Sequence, residues 1–219
     1  MSGFVVHSAA GSPFGRSVLV TLEEKHAAWR LAPVAVGTLR TPAHLARHPF
    51  GRIPVLEHDG FMLYETQAIL RYLDRVLPTP SLTPADPRAA ARMDQVMNVS
   101  DWYLFNGVGN IIGFQRIIRP RLMGQPADEA AIADVLPKAH VVIDELARLL
   151  GDSPYFAGTA PSLADLLVAP QIDFLTMTPE WAALGAHHRN LSAWLARMAE
   201  RPSLQATTWE RVAELAKAA

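Results

Sequence analysis

Residues 48–74, HPFGRIPVLEHDGFMLYETQAILRYLD, change their period midway. Val55, Leu56 and Glu57, opened by Pro54, read as a short strand. His58-Asp59-Gly60 turns the chain, an Asp-Gly pair being a strong hairpin signal, and Phe61, Met62 and Leu63 read as a second strand. From Glu65 the spacing becomes helical: Ile69, Tyr72, Leu73 and Val76 fall at i, i+3, i+4 and i+7 and predict one apolar face. An Ile-Pro step thus feeds a hairpin, and the hairpin feeds a helix whose first turn carries Glu65 and Thr66.

That order puts three kinds of recognition close together. Pro54 has no N–H and restricts Ile53 to an extended backbone, leaving the Ile53 N–H and C=O available to a peptide lying alongside. The first turn of the following helix has orphan N–H groups and a positive dipole end, which suit a carboxylate. Glu65 offers the opposite charge to an ammonium group. A small peptide with a free amino-acid end carries all three complements.

With these residues the stretch resembles the glutathione-binding half of the cytosolic glutathione transferases. The resemblance is carried by Pro49-Phe50-Gly51-Arg52-Ile53-Pro54, the hairpin, and Glu65-Thr66-Gln67-Ala68-Ile69, whose mutual spacing is held by a turn of fixed length. Each piece alone is ordinary: an Asp-Gly hairpin before an amphipathic helix is common core architecture, and Glu-Thr at a helix start is usually a cap.

Composition bounds the rest. Of 219 residues, 50% are apolar and 19% charged, as in ordinary soluble proteins, and the length allows one domain or two small ones. A net charge of −1 gives no basic field, so neither nucleic acid nor an anionic membrane is expected as a partner. No apolar run reaches the roughly 18 residues that span a bilayer, and Phe4-Val5-Val6 is too short for a signal-peptide core, so the cytoplasm is the expected location. Cysteine is absent. That excludes disulfides, cysteine-ligated metals and a protein thiol nucleophile, and with them the cysteine-type members of the resembled family. Any sulfur chemistry must use a ligand's thiol.

Taken in order, Phe4–His7 predicts a strand. Ser12-Pro13 predicts an N-cap followed by proline at the first helical position, and the helix reaches about Lys25 with Val18, Leu19 and Leu22 inward. Trp29–Val36 predicts a second strand and Pro42–Arg47 a short helix. The order βαβ, short helix, ββα is thioredoxin-like, with a right-handed crossover between parallel strands. Residues 78–87 hold four prolines and predict a stiff linker. Beyond it strand signals stop, and helices are expected over 88–118, 128–150 (with a kink or an offset at Pro137), from Ser162-Leu163-Ala164-Asp165 onward, over 190–200 and over 203–217. The expected architecture is therefore an α/β thioredoxin-like domain at 1–77, a linker, and an all-α domain at 88–219.

The resemblance implies the site in more detail. Ser12 falls where serine-type, phi- or theta-like members place the hydroxyl that activates the glutathione thiol, and the resemblance implies a bacterial-style member of that group. Arg16 matches the following arginine and would support the local field. As a cap, Ser12 accepts an N–H through oxygen, leaving its own proton to donate to a thiolate. Ser8 is the competing hydroxyl. Glutathione is the implied co-substrate, with Thr66 and Glu65 on its γ-glutamyl end, the Ile53 main chain beside a cis Pro54 on its cysteinyl backbone, and Arg40 and Arg52 toward its glycyl carboxylate. Leu39 stands where phi-like members usually carry histidine.

An apolar electrophile would lie against Phe14, Trp102, Phe105, Phe114 and Met177, with Phe114-Gln115-Arg116 as a wall. Asn106-Gly107-Val108-Gly109-Asn110 predicts a bend or close backbone approach in that helix. No metal is expected: adjacent His187 and His188 should point apart, with no third ligand near. The implied activity is detoxifying transfer of glutathione to an apolar electrophile by a homodimer. Glutathione-dependent peroxidase or isomerase activity, or a non-catalytic binding role, are the alternatives.

Overall fold

The β-branched run near the start of the chain forms strand β1 (Phe4–Ser8), wholly buried, and the other strands are placed by it. The computed structural model describes Gly3–Ala219, save the side chain of Leu122. Strand β2 (Trp29–Pro33) pairs with β1 in parallel, from Phe4↔Trp29 to Ser8↔Pro33. On the other side β3 (Val55–His58) pairs antiparallel, His7 opposite Val55. Strand β4 (Phe61–Tyr64) returns along β3 through the expected hairpin, giving the order β2-β1-β3-β4. Asp59 and Gly60 at the turn have φ of 51° and 81°, the two left-handed positions that a tight hairpin of matching twist requires. This is the thioredoxin-like βαβ-ββα sheet domain.

Helix α1 (Pro13–Glu24) and helix α3 (Thr66–Val76) pack together. Val18, Leu19 and Leu22 are buried as the periodicity of α1 required. The buried α3 set is the expected one moved three residues toward the N-terminus, sharing Ile69 and Leu73 with it. Thr66, Ile69, Leu70 and Leu73 are buried, whereas Val76 is 40% exposed and Tyr72 half-buried. Both sets obey i, i+3, i+4, i+7, so period alone could not phase the helix. The phenol of Tyr72 is instead drawn to His58, with Nδ1 and the hydroxyl 2.8 Å apart.

Between β2 and β3 lie a 3-10 turn (Val36–Thr38) and a one-turn helix α2 (Pro42–Leu45), shorter than the expected helix over Pro42–Arg47. Lys25 Nζ donates to Asp74 Oδ1 at 2.5 Å and to the Pro80 carbonyl, while Asp74 also accepts from Leu82 N at 2.9 Å. One buried lysine thereby binds the ends of α1 and α3 and the proline-rich segment together.

By packing, the chain forms two compact units: residues up to Leu82 with Ala199–Ala219, and Thr83–Met198. The sequence division near 77–87 follows composition along the chain. The packing division follows contacts, and it returns the last twenty residues or so to the first unit. There the single helix expected over 203–217 is two, α11 (Pro202–Ala206) and α12 (Trp209–Ala218), separated because Thr208 caps the second through Arg211 N at 3.2 Å. Glu24 of α1 receives Arg201 Nε (2.7 Å), Arg201 Nη2 (2.6 Å) and Ser203 Oγ (2.5 Å). Burial alone would raise the Glu24 carboxyl, but the hydrogen bonds from Arg201 and Ser203 outweigh it and hold the group below the usual carboxylate range.

The second unit is all-α. Helix α4 (Pro87–Val99), capped by Asp86, continues without a break in the helical backbone as a π-helical stretch (Ser100–Gly109), α5 (Asn110–Gly113), a second π-helical stretch (Phe114–Ile118) and α6 (Arg119–Met123). The glycine-rich Asn106–Asn110 thus widens the helix instead of breaking it. Pro120, without an N–H, sits at the first turn of α6 rather than ending the helix before it. Helix α7 (Glu129–Leu150) runs unbroken through Pro137.

Helix α8 (Leu163–Thr176) begins at the expected capping box, and α9 (Trp181–Leu184) and α10 (Arg189–Ala199) follow. Asp165 is fully buried and accepts Phe156 N (3.0 Å), Ser162 N (2.9 Å), Ser162 Oγ (2.9 Å) and Trp194 Nε1 (2.8 Å). No helix of the described residues is long and apolar enough to cross a membrane.

Candidate active site

The sheet register gathers the candidate residues. Ser8 ends β1, Val55 begins β3 opposite His7, and Tyr64 ends β4 opposite Val55. The loop after β1, the Ile53-Pro54 step before β3 and the Glu65-Thr66 step after β4 therefore emerge at one end of the sheet. The loop after β2 leaves there too, because Pro33 pairs with Ser8 and Val34 N donates to the Ser8 carbonyl at 3.0 Å.

Ser12 caps α1: its Oγ accepts Gly15 N at 3.1 Å, and the residue is half-buried. With a lone pair so engaged, the hydroxyl proton is available to a ligand at the positive end of the helix. Ser8 is 1% exposed and lies under α1, so close that a Cβ at Gly15 would be 2.0 Å from its Oγ. Its hydroxyl points to the Ala9 carbonyl at 3.4 Å. Of the two competing serines, Ser8 is thus buried beneath α1 and Ser12 half-buried at its cap.

Arg16 is directed elsewhere. Its guanidinium lies 4.6 Å from the centre of the Trp209 ring, and Nη2 donates to the Leu204 carbonyl at 3.4 Å. In this unit Arg16 is a 5% exposed strut between α1 and the C-terminal helices.

The peptide-like edge is built around Gly51. Its φ is +61°, and a Cβ there would lie 2.8 Å from the Leu39 carbonyl and 3.2 Å from Arg40, so only glycine lets the two loops close. Arg40 Nη1 donates to the Phe50 carbonyl at 3.4 Å, and the His44 ring lies 2.8 Å from the Arg52 carbonyl through Nε2. The Arg40 and Arg52 side chains are exposed at this edge. The Ile53-Pro54 bond is cis, and Ile53 has no main-chain hydrogen bond to another described residue.

Glu65 carries a φ of 70°, a left-handed conformation costing a non-glycine residue about 1–3 kcal/mol. It sits at the N-cap of α3 without a side-chain cap bond, exposed, while Thr66 at the first helical position is 7% exposed. Strain at such a point is a mark of a ligand-holding turn.

Two histidines that sequence reasoning did not single out complete this edge. His44 and His48 are 3% and 2% exposed, and the His48 ring lies against Tyr64, tilted by 34° with centroids 4.6 Å apart. Burial pushes the His48 imidazole below its usual range, against the pull of Glu65. Their spacing of four residues was visible, but one turn of helix gave it no context.

Of the residues expected to meet an apolar substrate, Phe14 belongs to the first unit and the rest to the second. Trp102 and Tyr103 are 69% and 62% exposed on the first π-helical stretch, and Met177, capping α8, is also exposed. Phe105 and Phe114 are half-buried. The expected wall at Gln115 and Arg116 is a brace inside the second unit. Gln115 Oε1 accepts Asp128 N at 2.9 Å, and Arg116 grips Glu180 and Glu129, whose hydrogen bonds raise its pKa further.

The imidazoles of His187 and His188 do not point apart. Their ring centres are 4.1 Å from each other, and Asp144 supplies a third potential ligand atom. The turn before α10 bends the two side chains to one side, which helical geometry would not.

Comparison with known proteins matches both parts of the chain. The family model described as glutathione S-transferase, N-terminal domain, covers residues 6–81, and that for the C-terminal domain covers 112–202. A glutathione S-transferase of Hyoscyamus muticus is 31% identical over 205 residues, 92% of this chain and 95% of its own. Among solved structures, glutathione transferase F7 from Populus trichocarpa has a TM-score of 0.84 at 29% identity, covering 97% of this chain and 99% of its own. Glutathione S-transferase I from mais, in complex with an atrazine glutathione conjugate, has a TM-score of 0.82 at 29% identity, covering 98% of each. These relatives are plant proteins and lend no support to the bacterial style expected from the sequence.

Proposed function

This chain belongs to the glutathione S-transferase family, and on that premise we propose that it ionises the glutathione thiol at Ser12 and transfers the tripeptide to an apolar electrophile. The observation that carries the reading is the convergence at one sheet end of a cap hydroxyl, a cis Ile53-Pro54 edge with an unbonded main chain, and a strained Glu65 before the α3 N-terminus. Ser12 donates to the sulfur, Thr66 binds the γ-glutamyl carboxylate through its N–H and hydroxyl, and Glu65 binds the ammonium group. Ile53 pairs with the cysteinyl backbone. Arg40 and Arg52 attract the glycyl carboxylate in place of the histidine usual where Leu39 stands. Arg16 acts through position, bracing α1.

A free thiol with a pKa of about 8.5 is about 3% thiolate at pH 7. Two units of depression need about 2.7 kcal/mol and raise that fraction roughly 25-fold. A hydrogen bond to a charged group supplies about 1.5–3 kcal/mol and the helix end about 0.3–1, so Ser12 on α1 is sufficient. The thiolate attacks the electrophilic carbon, the carbon–sulfur bond forms, and either a leaving group departs or an activated double bond accepts the electron pair.

Aromatic side chains of the all-α part, Trp102, Phe105 and Phe114, hold the apolar substrate. We take the protein to act as a cytoplasmic homodimer. Calorimetric titration with glutathione, repeated on Thr66→Ala and Glu65→Ala, tests the site; both variants should weaken binding at least tenfold. Mass analysis of products from an aryl halide and from an organic hydroperoxide separates conjugation from peroxidase activity.

A further inference from the structure

We propose that Asp144, His187 and His188 form a binding site for a divalent transition-metal ion of the zinc and nickel class. The site lies within the second unit and is independent of the glutathione reading. Among the described residues, these are the one group of three or more metal-ligating side chains whose donor atoms lie within 4.8 Å of one another. Two imidazoles and a carboxylate are the donor set that borderline cations prefer over calcium or magnesium, with water filling the remaining positions.

The scaffold beneath the cluster is fixed. Asp144 projects from α7, a helix of 22 residues, and the histidines lie in the turn before α10. Asn190, two residues on, donates to the Ala147 carbonyl at 2.8 Å and the Gly151 carbonyl at 3.0 Å, tying that turn to the end of α7. On the other side the turn is set by Gly185, where a Cβ would stand 2.2 Å from the Trp181 ring. The backbone that presents the three ligands is thus held by contacts that do not involve the ligands themselves.

The local geometry is close to what coordination needs. His188 Nε2 and Asp144 Oδ1 are 2.7 Å apart, a hydrogen bond with the proton between them. Ligand atoms about 2.0–2.1 Å from a tetrahedral ion stand about 3.3 Å from each other. The pair therefore opens by about 0.6 Å, within the reach of side-chain rotation, as the cation takes the place of the shared proton. The neutral His188 ring ligates through Nε2 in the tautomer that carries its single proton on Nδ1. His187 is exposed and its ring is already beside that of His188, so it closes on the ion by rotation. The carboxylate offsets one positive charge of the ion. Bound there, the metal joins the middle of α7 to the start of α10.

The test uses the full chain without an affinity tag, stripped with a chelator, and Zn2+ alone in glutathione-free buffer. Calorimetry should show one saturable ion per chain. The affinity should fall at least tenfold in His187→Ala and in Asp144→Asn, both exposed positions, with far-ultraviolet circular dichroism of the metal-free variants unchanged. Zn2+ should raise the thermal midpoint of the wild type and leave that of a His187→Ala, His188→Ala double variant unmoved. Lack of saturable uptake overturns the proposal. So does uptake of equal affinity in wild type and both variants, which would locate the ion at other histidines.

Discussion

Replacing Asp165 by alanine removes the acceptor from four donors at once. Three of them, Phe156 N, Ser162 N and Trp194 Nε1, are N–H groups that cannot turn to another role, and the side chains of Asp165 and Trp194 are fully buried. An orphaned buried donor costs about 1–3 kcal/mol. Losing the carboxylate also releases the burial that pushes its pKa up, which offsets part of this sum. A net loss of about 4 kcal/mol follows, concentrated where the 156–165 loop, the start of α8 and α10 meet.

For a chain of this size each kcal/mol moves the thermal midpoint by about 2–4 °C, so the midpoint should fall by about 8–16 °C. Asp165→Asn keeps one oxygen facing Phe156 and Trp194 and turns its NH2 toward Ser162, whose hydroxyl can rotate to accept. One main-chain N–H is then left facing a donor, and the loss is about 2 kcal/mol. Thermal melts followed by far-ultraviolet circular dichroism measure both, since Trp194 itself would distort a fluorescence melt. A fall of less than 2 °C for Asp165→Ala, or an Asn variant as unstable as the Ala variant, would refute the donor accounting.

Other outcomes follow from the same reasoning. Glu24 is held below its ordinary pKa, so its link to Arg201 and Ser203 stabilises above the unfolded carboxylate value of about 4.3 and is lost as pH falls through the folded value. Protection against hydrogen exchange in α11 and α12, taken relative to the intrinsic rate at each pH, should therefore fall in the wild type as pH drops below the ordinary carboxylate range, and already at neutral pH in Glu24→Gln. Gly15→Ala drives a methyl group into Ser8 Oγ at 2.0 Å, which should cost about 1–3 kcal/mol in a denaturant melt and displace the Ser12 cap, weakening glutathione binding as well. Ser8→Ala, by contrast, removes a hydroxyl buried beneath α1 and should leave the pH profile of glutathione conjugation where it was.

The first eighty residues were legible because each signal is local. Ser12-Pro13, Asp59-Gly60 and the change of period at Glu65 are all written within a few positions, and the sheet order follows from connection rules. What could not be read depends on contacts remote in sequence. The α3 face was phased wrongly because Tyr72 and Val76 satisfy the same spacing as Thr66 and Leu70, and only packing selects between them. The Arg16 guanidinium is held by Leu204 and Trp209, nearly two hundred positions later, partners that nothing near Arg16 in the sequence announces. Gln115 and Arg116 bind Asp128, Glu129 and Glu180, partners that nothing in the sequence announces. The same blindness hid Asp144 from the two adjacent histidines.

Ser12 as the source of thiol ionisation is tested most directly by titrating the ultraviolet absorbance of bound glutathione thiolate against pH in the wild type and in Ser12→Ala. The wild type should ionise the thiol about two units below its free value of about 8.5, and Ser12→Ala should return it most of the way. Identical titrations in the two proteins, each saturated with glutathione, would contradict the account.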